Sequence, residues 1–486
     1  MHRIDHSILY LARLVLEADS ALSVSTGNPD GVFDTALVRD ANGLPALPGT
    51  SVAGVLRHLW VSTYGDDDPT AADGLFGYQH RKQGEASRLT VSWGALLDSQ
   101  GRPAEGLLLG EQAKRLEQDE LFKAVLDQAD TPVYRDRVRL THRGAAADKG
   151  KFDRSVLPAG HRFALEIRLW APADDDGEEW RRLLSLFRHP AFRLGGGTRA
   201  GLGKMKLVSL HEGRFDLRQA DAVEQFQSLP PGLTETTGLQ EAAVSTPPTD
   251  RFVTARLTLN ARGLWRIGKG NHSFSRGGKV PDLLPKTEEK IDWSNGKGKR
   301  QLHMLLMPAS SLKGALAHRM AFHARRFSGQ WNDGELPDER PEAIDALLGA
   351  IKDSNEKEDA DQGKAGALFI DDAWLTTDAV TITRLMHNAI DRFTGGVRDR
   401  MLFEEESLLG GELKVSLTLD TGWIDPRHRD TARRAFKAAL DDLCAGRLAL
   451  GAKGSAGNGF FDGTLEGDLV AWLDEPESEE KREVAA

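Results

Sequence analysis

The chain has 486 residues, 40% of them hydrophobic and 28% charged, with a formal net charge of −10. That balance fits a protein able to bury cores and argues against a uniformly basic nucleic-acid binder, although the field in a cleft follows local charge. No run of 18 apolar residues offers a membrane span, and the single cysteine, Cys444, excludes an internal disulfide. The opening "MHRIDHSILYLARL" lacks the basic-then-apolar order of a secretion signal, so a cytoplasmic setting is expected.

The first half opens with "SILYLARLVLEA", aliphatic and β-branched near period two, which predicts a strand. "GVFDTALVRD" then leads to "LPALPGTSVAGVLRHL" at residues 44 to 59. There Val52, Val55, Leu56, Leu59 and Trp60 mark one helix face, and Thr50 and Ser51 stand before it as capping candidates. "SRLTVSW" and "RFALEIRLW" predict strands, "EEWRRLLSLFRH" a helix, and "GGGTRAGLGKMKL" from Gly195 a glycine-rich turn. Residues 212–250, with Pro pairs and no sustained periodicity late in the stretch, are expected to form a linker or a strap.

The second half repeats the order. "RFVTARLTLNA" predicts a strand, "LLMPASSLKGALAHR" a loop and helix, "GALFIDDAWL" and "ELKVSLTLD" strands, and "TARRAFKAALDDLCAG" a helix. Pro308 follows Pro48 by 260 residues, and Gly451 of "LGAKGSAGNGFFDG" follows Gly195 by 256. Two signals recurring at nearly one offset imply a duplicated α+β domain, for which a βαββαβ ferredoxin-like core fits the element order. The expected units are residues 1–211 and 251–470, joined by 212–250 and followed by a charged tail, 471–486.

The glycine-rich segments match neither a Walker loop nor the dinucleotide fingerprint. Read by themselves they are helix-to-strand turns, with Arg199, Lys204 and Lys453 making phosphate contact the minority alternative. The stretch Arg266–Arg300 carries nine Lys or Arg against four acids, an excess that makes a polyanion partner the expectation beside that of a merely solvated loop. Asp34 stands 14 residues before Pro48 and Asp292 stands 16 before Pro308, so a loop carboxylate recurs at a matched place. No HExxH, no Cys/His ligand spacing and no GxSxG elbow appears; His142 is a weak RNA-contact candidate.

In these motifs, taken in order and twice, the chain resembles the RAMP superfamily, specifically two fused backbone subunits of type III CRISPR effector complexes. The resemblance implies tandem ferredoxin-like (RRM-like) domains with inserted thumb hairpins, here "RVRLTHRGAAADKGKFDRSV" and "RLMHNAIDRFTGGVRDRMLFEEE". It implies crRNA held beside the Pro-led helix by Ser310, Ser311 and Lys313, and in the first copy by Thr50 and Ser51 with Arg39 or Arg57, because Ala53 replaces the lysine. It makes Phe152 and Phe393 the expected wedges and Asp34 and Asp292 the expected cleavage residues, working with a divalent cation, Mg²⁺, and the neighbouring ribose 2′-hydroxyl. The expected partners are crRNA, target RNA and other subunits of the ribonucleoprotein, with no membrane. Two alternatives stand beside it: a non-catalytic crRNA-binding scaffold, and a His-dependent crRNA-processing endoribonuclease using a residue such as His142 or His58.

Overall fold

The computed structural model describes residues 6–27, 36–130, 132–141, 144–268, 270–275, 278–330, 340–350 and 363–476. Core elements are numbered here in chain order. In the first module β1 (His6–Ala18) leads to α1 (Gly49–Tyr64), then β2 (Leu89–Val91), β3 (Arg162–Pro172), α2 (Glu178–Ser185) and β4 (Met205–Asp216). In the second, β5 (Phe252–Ala261) leads to α3 (Ala309–Phe327), β6 (Leu368–Ile370), β7 (Glu412–Asp420), α4 (Pro426–Cys444) and β8 (Phe461–Glu466).

The sheets are antiparallel, in the orders β4-β1-β3-β2 and β8-β5-β7-β6. Both are the same βαββαβ wiring, so the expected ferredoxin-like duplication is present at the level of strand pairing. Register is set at the first strand of each module: Leu14 faces Leu165 and Leu210, and Leu257 faces Val415 and Leu465. Each sheet buries one face under its two helices. On α1 the buried side chains Val52, Leu56, Leu59 and Trp60 recur at helical spacing, and on α3 Leu312, Leu316, Met320 and Ala324 do the same.

Each module carries an inserted hairpin at the place the thumb motifs predicted. The first pairs Tyr134–Leu140 with Ala146–Ser155; the second pairs Thr381–His387 with Phe403–Leu409. The strap is more structured than its composition implied. β4 runs to Asp216, a helix follows at Ala220–Gln227, and Gln240–Glu241 pairs onto the β4 edge. Arg13, buried on β1, donates to the Glu235 carbonyl at 2.7 Å and ties the strap down. The second module also extends past residue 470, because the helix Asp468–Leu473 buries Leu469, Trp472 and Leu473 in its core.

The basic stretch between β5 and α3 ends in a hairpin, Thr287–Asp292 with Lys299–Met307. The residues flanking its tip dock on the first module, while Ser294, Asn295, Gly296 and Lys297 at the turn are exposed. Ile291 N donates to the Ala159 carbonyl (2.9 Å), Trp293 Nε1 to the Gly160 carbonyl (2.7 Å) and Gly298 N to the Ser99 carbonyl (2.8 Å). Arg162 stacks over the Trp293 ring at 4.2 Å. Gly160 and Gly298 permit this approach: a Cβ on Gly160 would lie 2.2 Å from the Ile291 carbonyl oxygen, and one on Gly298 2.8 Å from Leu121.

Candidate nucleic-acid interface

The Pro-led loops deliver equivalent helix starts. Pro48 and Pro308 are the N-cap residues, and neither helix has a side-chain cap from its own N-cap residue. Pro fixes an extended entry and donates nothing, and the Pro48 and Pro308 carbonyls accept from Ser51 N and Ser311 N, at 2.9 Å in each module. Thr50 is exposed, and Ser51, Ser310 and Ser311 are half-buried on that first turn. Gly54 and Gly314, each six residues after its proline, are exposed and would meet nothing within 4 Å if given a Cβ. Glycine inside a helix costs about 1 kcal/mol relative to alanine. Within the molecule nothing requires it at either place, in either module.

The two starts then differ. Ala309 N donates to Asp372 Oδ1 at 2.8 Å. The corresponding turn after β2 in the first module reads Ser92-Trp93 where the second reads Asp371-Asp372, and Trp93 is 57% exposed. Arg57 is held by Asp73 (2.5 Å) and the Gly77 carbonyl (2.6 Å). Arg39 donates to the Gly43 (2.6 Å) and Val125 (3.2 Å) carbonyls.

Asp371 and Asp372 belong to a seam between the modules. Arg135, on the first hairpin, is bidentate to Glu288 at 2.9 Å and reaches Asp372 at 2.6 Å, with all three side chains buried. Arg193 and Lys204 meet Asp371 at 2.6 and 2.8 Å. Arg199 donates to the Gly366 carbonyl at 3.0 Å and lies over Phe369 at 4.6 Å. Gly201, at φ +94°, admits the second module: a Cβ there would stand 2.4 Å from Asp372 Oδ1 and 2.6 Å from the Ala309 Cβ. Lys204, read from sequence as a phosphate contact, is thus ion-paired across the seam, while Arg199 crosses it through a backbone carbonyl.

Beside this neutralised network stands a set of cations in excess. Lys313 is pushed down to about 8 by burial and then by the positive charges of Arg340, Arg199 and Arg137. Its ammonium donates to the Leu348 carbonyl at 3.1 Å. Arg137 is pushed down to about 10, by burial first and then by Arg135 and Arg154, while Asp372 opposes. Its guanidinium reaches the Ala200 carbonyl at 3.4 Å. Arg154 lies on the glycine-rich loop, where a Cβ on Gly196 would fall 2.1 Å from its Nη1. Arg340 has Asp345 as a partner, but among the described residues no carboxylate is hydrogen-bonded to Arg137, Arg199 or Lys313. An anion among these cations would relieve their mutual repulsion, and a phosphate is an anion of that kind. Sequence reading found Lys313 and Arg199 but not Arg137, Arg154 or Arg340.

Asp34 and His142 lie outside the described residues. Asp292 closes the tip of the docked hairpin: its carboxylate accepts from Ser294 N at 3.0 Å and Ser294 Oγ at 2.8 Å, and these bonds hold it below the usual carboxylate range. Among the described residues no three His, Cys, Asp or Glu side chains are grouped to hold a metal ion. Asp292 by itself brings one carboxylate to a Mg²⁺, and that carboxylate already accepts two bonds from Ser294. Phe152 is 49% exposed in mid-hairpin opposite Arg137, whereas Phe393 is 90% exposed between the second hairpin's strands. Lys453 reaches His387 and Glu405.

Two ferredoxin-like modules meet at a buried ion-pair seam, and beside it, among the described residues, Arg137, Arg199 and Lys313 have no hydrogen-bonded carboxylate, an arrangement suited to an anionic polymer. The family model of the RAMP superfamily matches residues 15–206 and 304–462, one segment in each module, and together these are more than half of the chain. The chain belongs to the RAMP superfamily, a class of CRISPR-associated RNA-binding subunits. No curated protein matches it. Among the described residues no helix is long and apolar enough to cross a membrane.

Proposed function

We propose that this chain is a double backbone subunit of a type III CRISPR effector complex, binding crRNA along both modules and cutting the guide-paired target RNA. The observation that carries the RNA-binding part is the cation group at the seam, where Arg137, Arg154, Arg199 and Lys313 converge from both modules. The exposed glycines of α1 and α3 support a backbone approaching those helices. Sequence choice in this reading comes from guide pairing, and the protein reads shape and phosphate.

The cleaving carboxylate of this reading is Asp34. Asp292 is assigned a lesser part, because its carboxylate caps a turn. No described cluster holds the divalent cation expected for the reaction, so the RNA phosphate would share it with a lone carboxylate. The test is reconstitution with guide, target and neighbouring subunits. Asp34→Ala should leave the complex assembled and abolish the cut beside the first module. Persistence of that cut would leave only the scaffold reading.

A further inference from the structure

The glycine-rich loops put the two modules in register. Gly195, Gly197, Gly201 and Gly203 have φ of +79°, +75°, +94° and +77°, and Gly451, Lys453, Gly457 and Gly459, each 256 residues on, have +86°, +61°, +87° and +80°. The strand pairing that follows agrees: Ala18 of β1 faces Met205, and Ala261 of β5 faces Phe461. Asp19 therefore matches Arg262, Pro190 matches Gly446, Lys204 matches Phe460 and Lys206 matches Asp462.

A cavity lies at this matched place in both modules. In the first it takes in Asp19, Pro190 and Lys204 and has a volume of about 390 Å³. In the second it takes in Arg262, Gly446 and Phe460 and has a volume of about 360 Å³. Both fall in the range of small-ligand sites, roughly 300–1,000 Å³. A cavity that recurs where the fold recurs is a property of the module, so its lining can be compared copy by copy.

The charges differ. Arg188, Lys204 and Lys206 line the first cavity, and the second module has Cys444, Phe460 and Asp462 at those three places. In the second module Arg262 donates to Asp462 Oδ1 through Nε (2.9 Å) and Nη2 (2.6 Å), and a Cβ on Gly446 would fall 2.3 Å from its Cζ. That cation is engaged by a carboxylate and lies against the cavity wall. In the first module Asp19 meets Lys204 at 3.3 Å, and Lys204 and Arg193 share Asp371 at 2.8 and 2.6 Å. Two cations against two carboxylates leave that group neutral. Arg188 and Lys206 remain, both exposed, and among the described residues neither meets a carboxylate. Much of the remaining lining is apolar: Phe187 and Phe192 meet edge to face at 5.3 Å, with Met205 beside them, and the strap contributes Thr246.

We propose that the first-module cavity binds a small organic phosphate with a flat apolar body, of the size and chemistry of a nucleoside monophosphate. Its phosphate lies between Arg188 and Lys206, where a guanidinium fork and an ammonium supply charge-assisted hydrogen bonds. Its body lies against Phe187, Phe192 and Met205, with Thr246 of the strap at its side. The second module's cavity, with Arg262 already paired and no cation at the three matched places, does not take this ligand. The site uses none of the cations assigned to RNA, namely Arg137, Arg154, Arg199 and Lys313, so it stands apart from the RNA-binding reading.

The test is equilibrium dialysis of the full chain against radiolabelled 5′-AMP. The expected result is saturable binding of one AMP per chain, with adenosine and inorganic phosphate each held about tenfold or more weakly, because neither offers both the body and the charge. Lys206→Asp, which copies the second module's residue, and Arg188→Glu should each weaken AMP binding about tenfold or more. Both side chains are exposed, so the fold should survive either change. Affinity for single-stranded RNA should stay within about twofold in both variants, because other cations carry it. An absence of saturable AMP binding, or binding that both variants retain, overturns the proposal. So does inorganic phosphate held as tightly as AMP, which leaves the apolar body without a place. RNA affinity that falls together with AMP affinity makes the cavity a stretch of the RNA path and overturns a separate site.

Discussion

Arg135 and Asp372 come from different modules and meet at 2.6 Å with both side chains nearly inaccessible to water. Glu288 takes the rest of the guanidinium, and Asp372 also caps the first turn of α3 through Ala309 N. The surrounding carboxylates keep Arg135 charged despite its burial. A buried ion group of this kind adds little when intact but is expensive to break from one side. Arg135→Ala would strand two buried carboxylates and should destabilise the protein by about 3 kcal/mol or more. Asp372→Asn should cost less, since an amide oxygen can still accept from Ala309 N and Arg135 keeps Glu288. Urea denaturation of the two variants checks the order.

Lys313 gives a pH dependence with two opposite signs. Its pKa in the free chain is pushed down to about 8 from the ordinary 10.5, by burial first and then by Arg340, Arg199 and Arg137. Between those values the unfolded chain holds a proton that the folded chain has released, so this group favours folding as pH rises through that window. A bound phosphate stabilises the ammonium and raises its pKa again. Binding then takes up a proton above about pH 8, and RNA affinity should fall as pH rises from 8 towards 10. Fluorescence anisotropy across that range reads the slope. Lys313→Arg, which stays charged, should flatten it.

The duplication and the ferredoxin-like order were legible because strand period, helix period and the two proline-led phrases are local signals. The seam was not. Arg199 and Lys204 sit beside glycines, a pattern that reads as phosphate contact. That Lys204 is neutralised depends on Asp371, 167 residues away, and Arg199 instead reaches the Gly366 carbonyl. Arg137 and Arg154 carry no signal in the sequence that singles them out, and packing against Gly196 and Gly197 brings them to the seam, where Arg137 acts on Lys313. The basic stretch holding Asp292 was read as a polyanion-seeking loop. Its docking turns on Trp293 and Gly298, residues whose partners Gly160 and Ser99 lie in the other module. Phe393 was placed by motif, whereas strand register matches Phe152 with Phe403.

Asp292 should be dispensable for cutting. Ser294 holds its carboxylate in a turn on a hairpin clamped to the first module. In a reconstituted complex with target RNA and Mg²⁺, Asp292→Ala should leave the cleavage pattern unchanged while Asp34→Ala removes one cut. Loss of a second cut in Asp292→Ala would show that the turn opens to present this carboxylate to RNA.

Gly54 and Gly314 allow stability and binding to be separated. Each sits in the exposed interior of its helix with open space where a side chain would be. An alanine there restrains the unfolded chain and suits the helix, so Gly54→Ala and Gly314→Ala should each stabilise the free protein by about 0.5–1 kcal/mol. If the glycines exist to let an RNA backbone lie against α1 and α3, the same methyl groups should weaken RNA binding several-fold. Gly201→Ala serves as the contrast. It would drive a Cβ into Asp372 and Ala309 in a left-handed backbone position, and should destabilise the seam with or without RNA. Thermal unfolding and RNA titration of the three variants test this together. A stabilised Gly314→Ala that binds RNA as well as the parent chain would mean that the RNA does not pass over α3.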